Sequence, residues 1–302
     1  MTNAQDWIET TRFRLMSGHQ EPLNRLASAY VSGSGTMAFD FDITGIRAGT
    51  VLSVGTSTFY VWEISTTLKT ATVQGDWDGT VDQDYDADTV VRIAPRFTDA
   101  QILRAINEDI NDLSSPSNGL FQIGTSNLTY DSALIGYDLS LAPNMISPIE
   151  LRAEVSGGYK QWIRIPSHKY RVVKGAPTGS EGFDSGLALF LYDSWVGTTG
   201  NRLHLTYRKG FNQLSNASSN KAGTGVPASA WDLPPIGAAI SLMAGREIKR
   251  SFTESQGDAR RAIEVTAGTS TSSVKALLAL RQQRIISEAQ RLDGFYPIIK
   301  DA

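Results

Sequence analysis

The chain contains no cysteine among its 302 residues, which excludes disulfides and thiolate metal sites. Net charge is also small: 28 Lys and Arg against 31 Asp and Glu leave −3. That argues against a surface that grips nucleic acid as a whole, because such binding needs clustered cations to displace counterions. It does not exclude a wall past which DNA slides, where weak repulsion is useful. Long apolar runs are missing as well. The longest, around Ile236 to Ala244, falls well short of the roughly 20 residues a membrane span requires. The first residues include Asp6 and Glu9 and no apolar core, so no secretory signal is expected, and folding in a cytoplasm is. Histidines are few: His19, His168 and His204 lie far apart, without the neighbours that zinc or a catalytic triad needs. Gly33-Ser34-Gly35 lacks the further glycine and helix of a dinucleotide loop, and no phosphate-loop lysine follows any glycine cluster. No nucleophile–base pair or paired-carboxylate motif is visible, so no catalytic residue, cofactor or metal is expected.

What is present is patterned. The length suggests about two domains, with three small ones still open. Thr2-x-x-Gln5 starts a first helix like a capping box, with Trp7, Ile8, Phe13 and Leu15 as its apolar residues. From about Leu23 the hydrophobic period drops to two. Leu26/Ser28/Tyr30, Met37/Phe39/Phe41, Val51/Leu52/Val54, Phe59/Val61/Ile64, Thr70/Thr72/Val73 and Val90/Val91/Ile93 predict short strands separated by glycines, hence a small barrel or rolled sheet. Pro95 ends it. Thr98 and Gln101 then form a capping box for the next helix, and Phe97 can pack on Ile102 as a staple. Ile102, Leu103, Ile106, Ile110 and Leu113 hold one face until Ser114-Ser115-Pro116. Strands return between Leu120 and Phe211, at Ile149 to Val155, Trp162 to Ile165, Tyr170 to Val173, Leu187 to Leu191 and Leu203 to Tyr207. This pattern suits an antiparallel β-sandwich. Gln213 to Ala230 has no period and reads as a flexible loop.

Two helices close the chain. In the first, Pro234 and Pro235 occupy a first turn that has no amide hydrogen bonds to lose, and Ile236, Ala239, Ile240, Met243, Glu247 and Ile248 follow at helical spacing. The second is anchored by Val274, Leu277, Leu278, Ile285, Ala289 and Leu292, with Arg281, Gln282, Arg284, Glu288 and Arg291 on the opposite face. Gly294 and Pro297 stop it. Isolated helices of this length are marginal in water, so the scattered helices are expected to converge. The expected fold is therefore α+β: a discontinuous helical core bundle with two inserted antiparallel β units, a small barrel and a β-sandwich. Residues 1–22 would give the N-terminal core helix, 23–97 the barrel, 98–115 a core helix, 116–231 the sandwich and 232–302 the C-terminal helical core and tail.

The string Trp231-Asp-Leu-Pro-Pro-Ile-Gly-Ala-Ala, then Gly245-Arg-Glu-Ile-Lys-Arg-Ser-Phe-Thr-Glu-Ser-Gln-Gly-Asp-Ala-Arg-Arg and Leu278-Ala-Leu-Arg-Gln-Gln-Arg-Ile, resembles structural proteins of the head-to-tail gene block of tailed bacteriophages, especially long-tailed phages of actinobacteria. Arg202-Leu-His-Leu-Thr-Tyr-Arg and Val90-Val-Arg-Ile-Ala-Pro-Arg-Phe-Thr-Asp-Ala-Gln-Ile-Leu-Arg-Ala are similar to the same group. The best match in role is the head-to-tail adaptor, also called connector or neck protein. The resemblance implies a virion protein of the head–tail junction, assembled in the host cytoplasm. It would form a ring with itself, commonly of twelve copies, between the portal protein and a stopper or tail terminator protein. DNA would pass through without sequence-specific binding, and no membrane or cofactor is involved. The resemblance also implies that the C-terminal segment reaches the portal, here the helix from Val274 to Leu292 and the tail from Phe295 to Lys300. Candidate subunit or portal contacts are then Val274, Leu278, Arg281, Arg284, Ile285, Arg291, Phe295, Tyr296, Ile298 and Ile299. Simple adaptors are small and mostly helical. The two β units depart from that pattern, and would either decorate the neck or place the protein elsewhere in the tail.

The sharpest polar feature is acidic: Asp76, Asp78, Asp82, Asp84, Asp86 and Asp88. The last four alternate like the oxygen ligands of a calcium loop, yet Ala87 stands where an EF-hand needs glycine and Ile93 where it needs its bidentate glutamate. A solvated hairpin loop is the plainer reading; facing a channel, its charge would repel DNA phosphates. Tryptophans supply the alternative function, a carbohydrate-binding accessory virion protein (tail or capsid decoration) that uses the sandwich. Trp62 and Trp162 fit strand positions where a large ring fills a small core, whereas Trp77 and Trp195, in turn-rich surroundings, are the exposed candidates. Arg246, Lys249, Arg250, Arg260 and Arg261 are interleaved with Glu247, Glu254, Asp258 and Glu264, which favours ion-paired subunit contacts over nucleic acid.

Overall fold

Runs of period two become strands and runs of period 3.6 become helices, giving an α+β chain whose described strand pairs are all antiparallel. The computed structural model describes residues 3–16, 21–140, 142, 144–155, 161–178, 182–192, 198–254 and 269–296, without the side chains of 245–254 and 269–273. The chain divides into two compact units. One comprises Met1–Ile110, Asn212–Thr224 and Ala228–Arg284, and the other Asn111–Phe211, Gly225–Pro227 and Ile285–Ala302. Among the described residues no helix is long and apolar enough to cross a membrane.

In the first unit, α1 (Ala4–Met16) precedes β1 (Leu23–Arg25), β2 (Thr36–Ala38), β3 (Val51–Val54), β4 (Ser57–Ser65), β5 (Thr70–Gln74) and β6 (Val90–Ile93). The six strands form one sheet in the order β1-β6-β3-β4-β5-β2. Its edges meet where Ala27 N–H donates to Ala38 O at 2.9 Å and Asp40 N–H to Arg25 O at 3.0 Å, so little ladder is left open to another chain. Phe39, Ile46, Leu52, Phe59, Val61 and Val91 fill the interior. The run Leu26/Ser28/Tyr30 is not a strand: Leu26 and Tyr30 make isolated bridges to Phe39 and Tyr85, and β1 lies just before them.

One irregularity in this sheet decides what faces outward. The register of β4 against β5 jumps between Val61 and Glu63, a bulge that leaves Trp62 as an extra residue. Val61 stays buried and Glu63 pairs with Thr72, an exposed position, so Trp62 and Glu63 are both exposed beside Tyr60. Trp62 is 57% exposed. The expectation that its ring fills the core is corrected: buried Phe59 and Val61 put Trp62 on the opposite, outward face with Tyr60, and the bulge adds Glu63 to that face.

After the sheet comes α2 (Asp99–Leu113). Its capping box forms as expected: Gln101 N–H donates to Thr98 Oγ1 at 3.2 Å, and Thr98 N–H to Gln101 Oε1 at 3.4 Å. The segment read as a flexible loop is instead ordered, with single 3-10 turns at Lys221–Thr224 and Ala228–Ala230. Ala4 and Gln5 N–H donate to Ser219 O and Ala217 O at 2.8 and 2.9 Å, which satisfies amides at the start of α1. Lys221 Nζ donates to Asp6 at 3.0 Å and lies over the Trp231 ring. Asn107 exchanges two 2.8 Å hydrogen bonds with the backbone of Leu214. Long-range backbone and polar side-chain hydrogen bonds replace the apolar period as the source of order. Helix α3 (Leu233–Glu254) packs on α1, burying Leu233, Ile236, Ala238 and Ala239.

The second unit holds β7 (Gln122–Thr129), β8 (Gly136–Asp138), β9 (Met145–Val155), β10 (Gln161–Ile165), β11 (Tyr170–Lys174), β12 (Leu187–Leu191) and β13 (Arg202–Lys209). They form a four-stranded sheet β10-β9-β13-β7 and a three-stranded sheet β11-β12-β8. Leu151, Ala153, Leu203 and Leu205 from one sheet share a core with Leu189, Leu191, Tyr170 and Tyr137 from the other. Strand β7 has too few large apolar residues to announce itself. At its Gly124, opposite Tyr207, an added Cβ would lie 2.5 Å from the tyrosine ring, so the missing side chain is what the ring needs. Trp162 is likewise not a core ring. It is 38% exposed and meets His204 edge-on at 5.7 Å, and His204 Nδ1 is 2.7 Å from Asn127 Oδ1.

Candidate functional site

Helix α4 (Thr269–Phe295) carries most of the candidate interface residues, and its buried side differs from the one expected. Arg281, Ile285, Glu288 and Leu292 are all buried. Their spacing of four, three and four residues defines one helical stripe, so Arg281 and Glu288 share the face of Ile285 and Leu292 and do not oppose it. Arg281 donates to Asp109 of α2 in a 2.7 Å ion pair, both side chains being nearly inaccessible. Arg284 holds Asp232 with both forks of its guanidinium, at 3.0 and 3.1 Å, and donates to Ser229 O at 2.6 Å. In the second unit Arg291 pairs with Glu288 at 2.8 Å and lies 5.7 Å from the Phe295 ring centre. These arginines are engaged within the chain itself.

Among the candidates, Arg291 keeps an exposed side chain beside Glu288, and the other residues with exposed surface are apolar. Val274 is half-buried, while Leu278 and Phe295 are 53% and 67% exposed. Tyr296 is partly occupied: its ring meets Phe121, over which the Arg208 guanidinium stacks at 4.2 Å. Ile298 and Ile299 lie outside the described residues, as do Trp195 and the side chains of the interleaved basic cluster. Within the first unit, Ala276, Leu278, Ala279, Leu280, Gln282 and Gln283 are all exposed and all uncharged, with the exposed Lys275 one turn before Leu278 and Ala279. An exposed helix face is ordinarily charged.

The acidic segment organises its own loop. Asp82 accepts from Tyr30 Oη at 3.0 Å and from Gly33 N–H at 2.9 Å, and its own N–H donates to Asp76 at 2.6 Å. Asp84 accepts from Ser32 N–H at 2.7 Å. Burial, and then the Asp82 carboxylate beside it, push the Tyr30 hydroxyl up to about 12. Asp86 and Asp88 are exposed, and Asp88 adopts a left-handed backbone that lets its N–H reach Leu26 O. Among the described residues no group of three or more His, Cys, Asp or Glu could hold a metal.

The chain matches no family model and no curated protein. Its own surfaces, and the deepest charges beneath them, are the guide to what it does. Arg12 pairs with Glu21 at 2.6 Å and with Asp99, and Arg92 pairs with Glu9 at 2.6 Å and approaches Glu21 and Asp99 at 3.9 and 3.7 Å. Burial pushes the Asp99 carboxyl above the usual carboxylate range, while both guanidinium groups pull it back. This network ties α1, β6 and the start of α2 together. Its role is structural.

Two features were not anticipated from sequence. One is the Asp109–Arg281 pair, whose members lie far apart in the chain. The other is an aromatic ridge in which Tyr60 meets Trp62 at 4.8 Å, edge-on, and Trp77 at 4.5 Å, tilted by 31°. The ridge did leave a trace: Tyr60 and Trp62 alternate with the apolar pair Phe59 and Val61, which puts both rings on the outward face, and the later step from Val61 to Ile64 is what a bulge does to a strand's period.

Proposed function

We propose that the chain is a non-enzymatic structural protein of the virion, working by self-association into a ring at the head-to-tail junction that links portal to tail and extends the DNA channel. The observation that carries this reading is the exposed face of α4 from Ala276 to Gln283, made of apolar and amide side chains and bordered one turn earlier by the exposed Lys275. The centres of protein interfaces are depleted of charge, and a long helix fastened from behind by buried ion pairs is a firm surface to offer a neighbour. Repeated around an axis, such a heterologous contact closes into a ring when its rotation fits. The resemblance to neck adaptors supplies the partners: portal on one side, a stopper or tail terminator on the other. Phe295 is exposed and fits a docking role near the portal.

The test is microscopy and mass photometry of the full chain, alone and with portal protein. The expected result is a closed ring, of about a dozen copies as the resemblance to neck adaptors implies. Leu278→Arg with Leu280→Arg should abolish it while leaving thermal unfolding unchanged, since both side chains are already exposed. A wild-type chain that stays monomeric beside portal overturns the proposal.

A further inference from the structure

The small β unit bears a second surface, built on its sheet and not on α4. Tyr60, Trp62 and Trp77 form a continuous ridge, with Trp62 and Trp77 57% and 37% exposed. It is held in place from several sides. Trp62 Nε1–H donates to Gln74 Oε1 at 3.2 Å on the neighbouring strand. The turn carrying Trp77 is pinned by Thr80, whose hydroxyl donates to Trp77 O at 2.8 Å and accepts from Thr58 N–H at 2.9 Å. Gln101 of α2 donates to Asp78 at 3.2 Å. Rings fixed before binding lose little freedom on binding.

The surroundings select the occupant by charge. Glu63 is exposed next to Trp62, and Asp76 and Asp78 flank Trp77, both exposed. From Thr70 to Val91 the chain has six aspartates and no lysine or arginine, and residues 23–93 carry nine acidic against four basic side chains. The shape of the ridge narrows the choice further. Tyr60 and Trp77 lie close and only 31° from parallel, so these rings make a continuous rib with no slot between them. A planar guanidinium suits such a rib, because it stacks on an indole face and keeps its donors free for carboxylates at the margin.

We propose that this ridge and its acidic rim dock a basic, arginine-bearing segment of a protein partner. Arginine side chains stack on Trp62 and Trp77 and pair with Glu63 and the flanking aspartates. Exposed tryptophans of this kind concentrate binding energy in a few residues, while the charge speeds encounter and sets the sign of the partner.

The experiment uses the full chain and three probes: fluorescent nona-arginine, fluorescent nona-lysine, and cellohexaose as a neutral glycan. Anisotropy at about 150 mM salt, where long-range attraction is screened, should show nona-arginine binding several-fold tighter than nona-lysine. Trp62→Ala should weaken nona-arginine about tenfold, Trp62→Phe much less, and Glu63→Gln a few-fold, in line with a desolvated cation–π contact. Since Trp62 lies outside the core, its variants should keep the wild-type circular dichroism, so they decide the matter even if Trp77→Ala loosens its turn. Nona-arginine binding unchanged by Trp62→Ala would mean attraction by charge alone and overturns the proposal. Cellohexaose binding that is lost in Trp62→Ala, without any preference for arginine, would assign the ridge to sugars and overturns it equally.

Discussion

Gly237 shows how much can rest on one hydrogen atom. It lies near the start of α3, where a Cβ would overlap the carboxylate of Asp109. In an open helix, replacing glycine with alanine is favourable by nearly 1 kcal/mol, because the unfolded chain loses freedom. Here the overlap outweighs that gain: either α3 moves away from Asp109, or Asp109 gives up its geometry with Arg281. Gly237→Ala is expected to destabilise the protein by about 1–3 kcal/mol, the usual range for overpacking, read as a lower urea midpoint at unchanged slope. Gly294 in α4 has open space where a Cβ would sit, with no neighbour within 4 Å, so Gly294→Ala is the control and should be neutral or slightly stabilising. Equal effects at both positions would show that helix propensity governs, and that the close approach to Asp109 does not.

At the scale of the element, α4 is a helix whose inward stripe mixes charge with hydrocarbon. Arg281→Met should cost about 3–5 kcal/mol, because Asp109 would keep its buried charge without the guanidinium that compensates it. Adding Asp109→Leu should recover most of that loss, since a buried pair replaced by apolar side chains is often neutral or better. Unfolding of the two single variants and the double variant measures the coupling directly. The same helix marks where sequence was legible and where it was not. Its existence was plain from periodicity, but apolarity alone tilted its buried face wrongly, because nothing local pairs Arg281 with a residue of α2. The capping box at Thr98 was readable because all its chemistry lies within four residues. The order in 213–230 was hidden because its backbone carbonyls accept from distant amides of α1, its Lys221 pairs with distant Asp6 and its Leu214 backbone bonds to distant Asn107, and β7 was hidden because its glycine answers to Tyr207 on another strand. Of the candidate surface, the exposure of Trp77 was anticipated from its turn, and that of Trp62 was open to plain alternation, since Phe59 and Val61 face inward; only the outward Glu63 required reading the broken period of β4 as a bulge.

At the scale of the whole molecule, the first unit is assembled from three separate stretches of chain, and its parts differ in what they need. The barrel core is drawn wholly from residues between Leu26 and Ile93, so its contacts close within one short stretch. Helix α1 depends on distant stretches of the chain: its first amides bond to Ser219 and Ala217, its Asp6 to Lys221, and its body packs on α3. Contacts this distant in sequence form late, after the closure entropy of a long loop has been met. A chain ending at Phe211 lacks all of those partners but keeps the ion pairs of Arg12 and Arg92 beside the sheet. Hydrogen exchange read by mass spectrometry should find β3, β4 and β5 as protected in the truncated chain as in the full one, while the α1 amides exchange at nearly unprotected rates. If α1 remains protected without residues 212–302, then the Arg12 and Arg92 network alone suffices to hold it. The ion pairs, and not the late-arriving segments, would then be what docks the N-terminal helix.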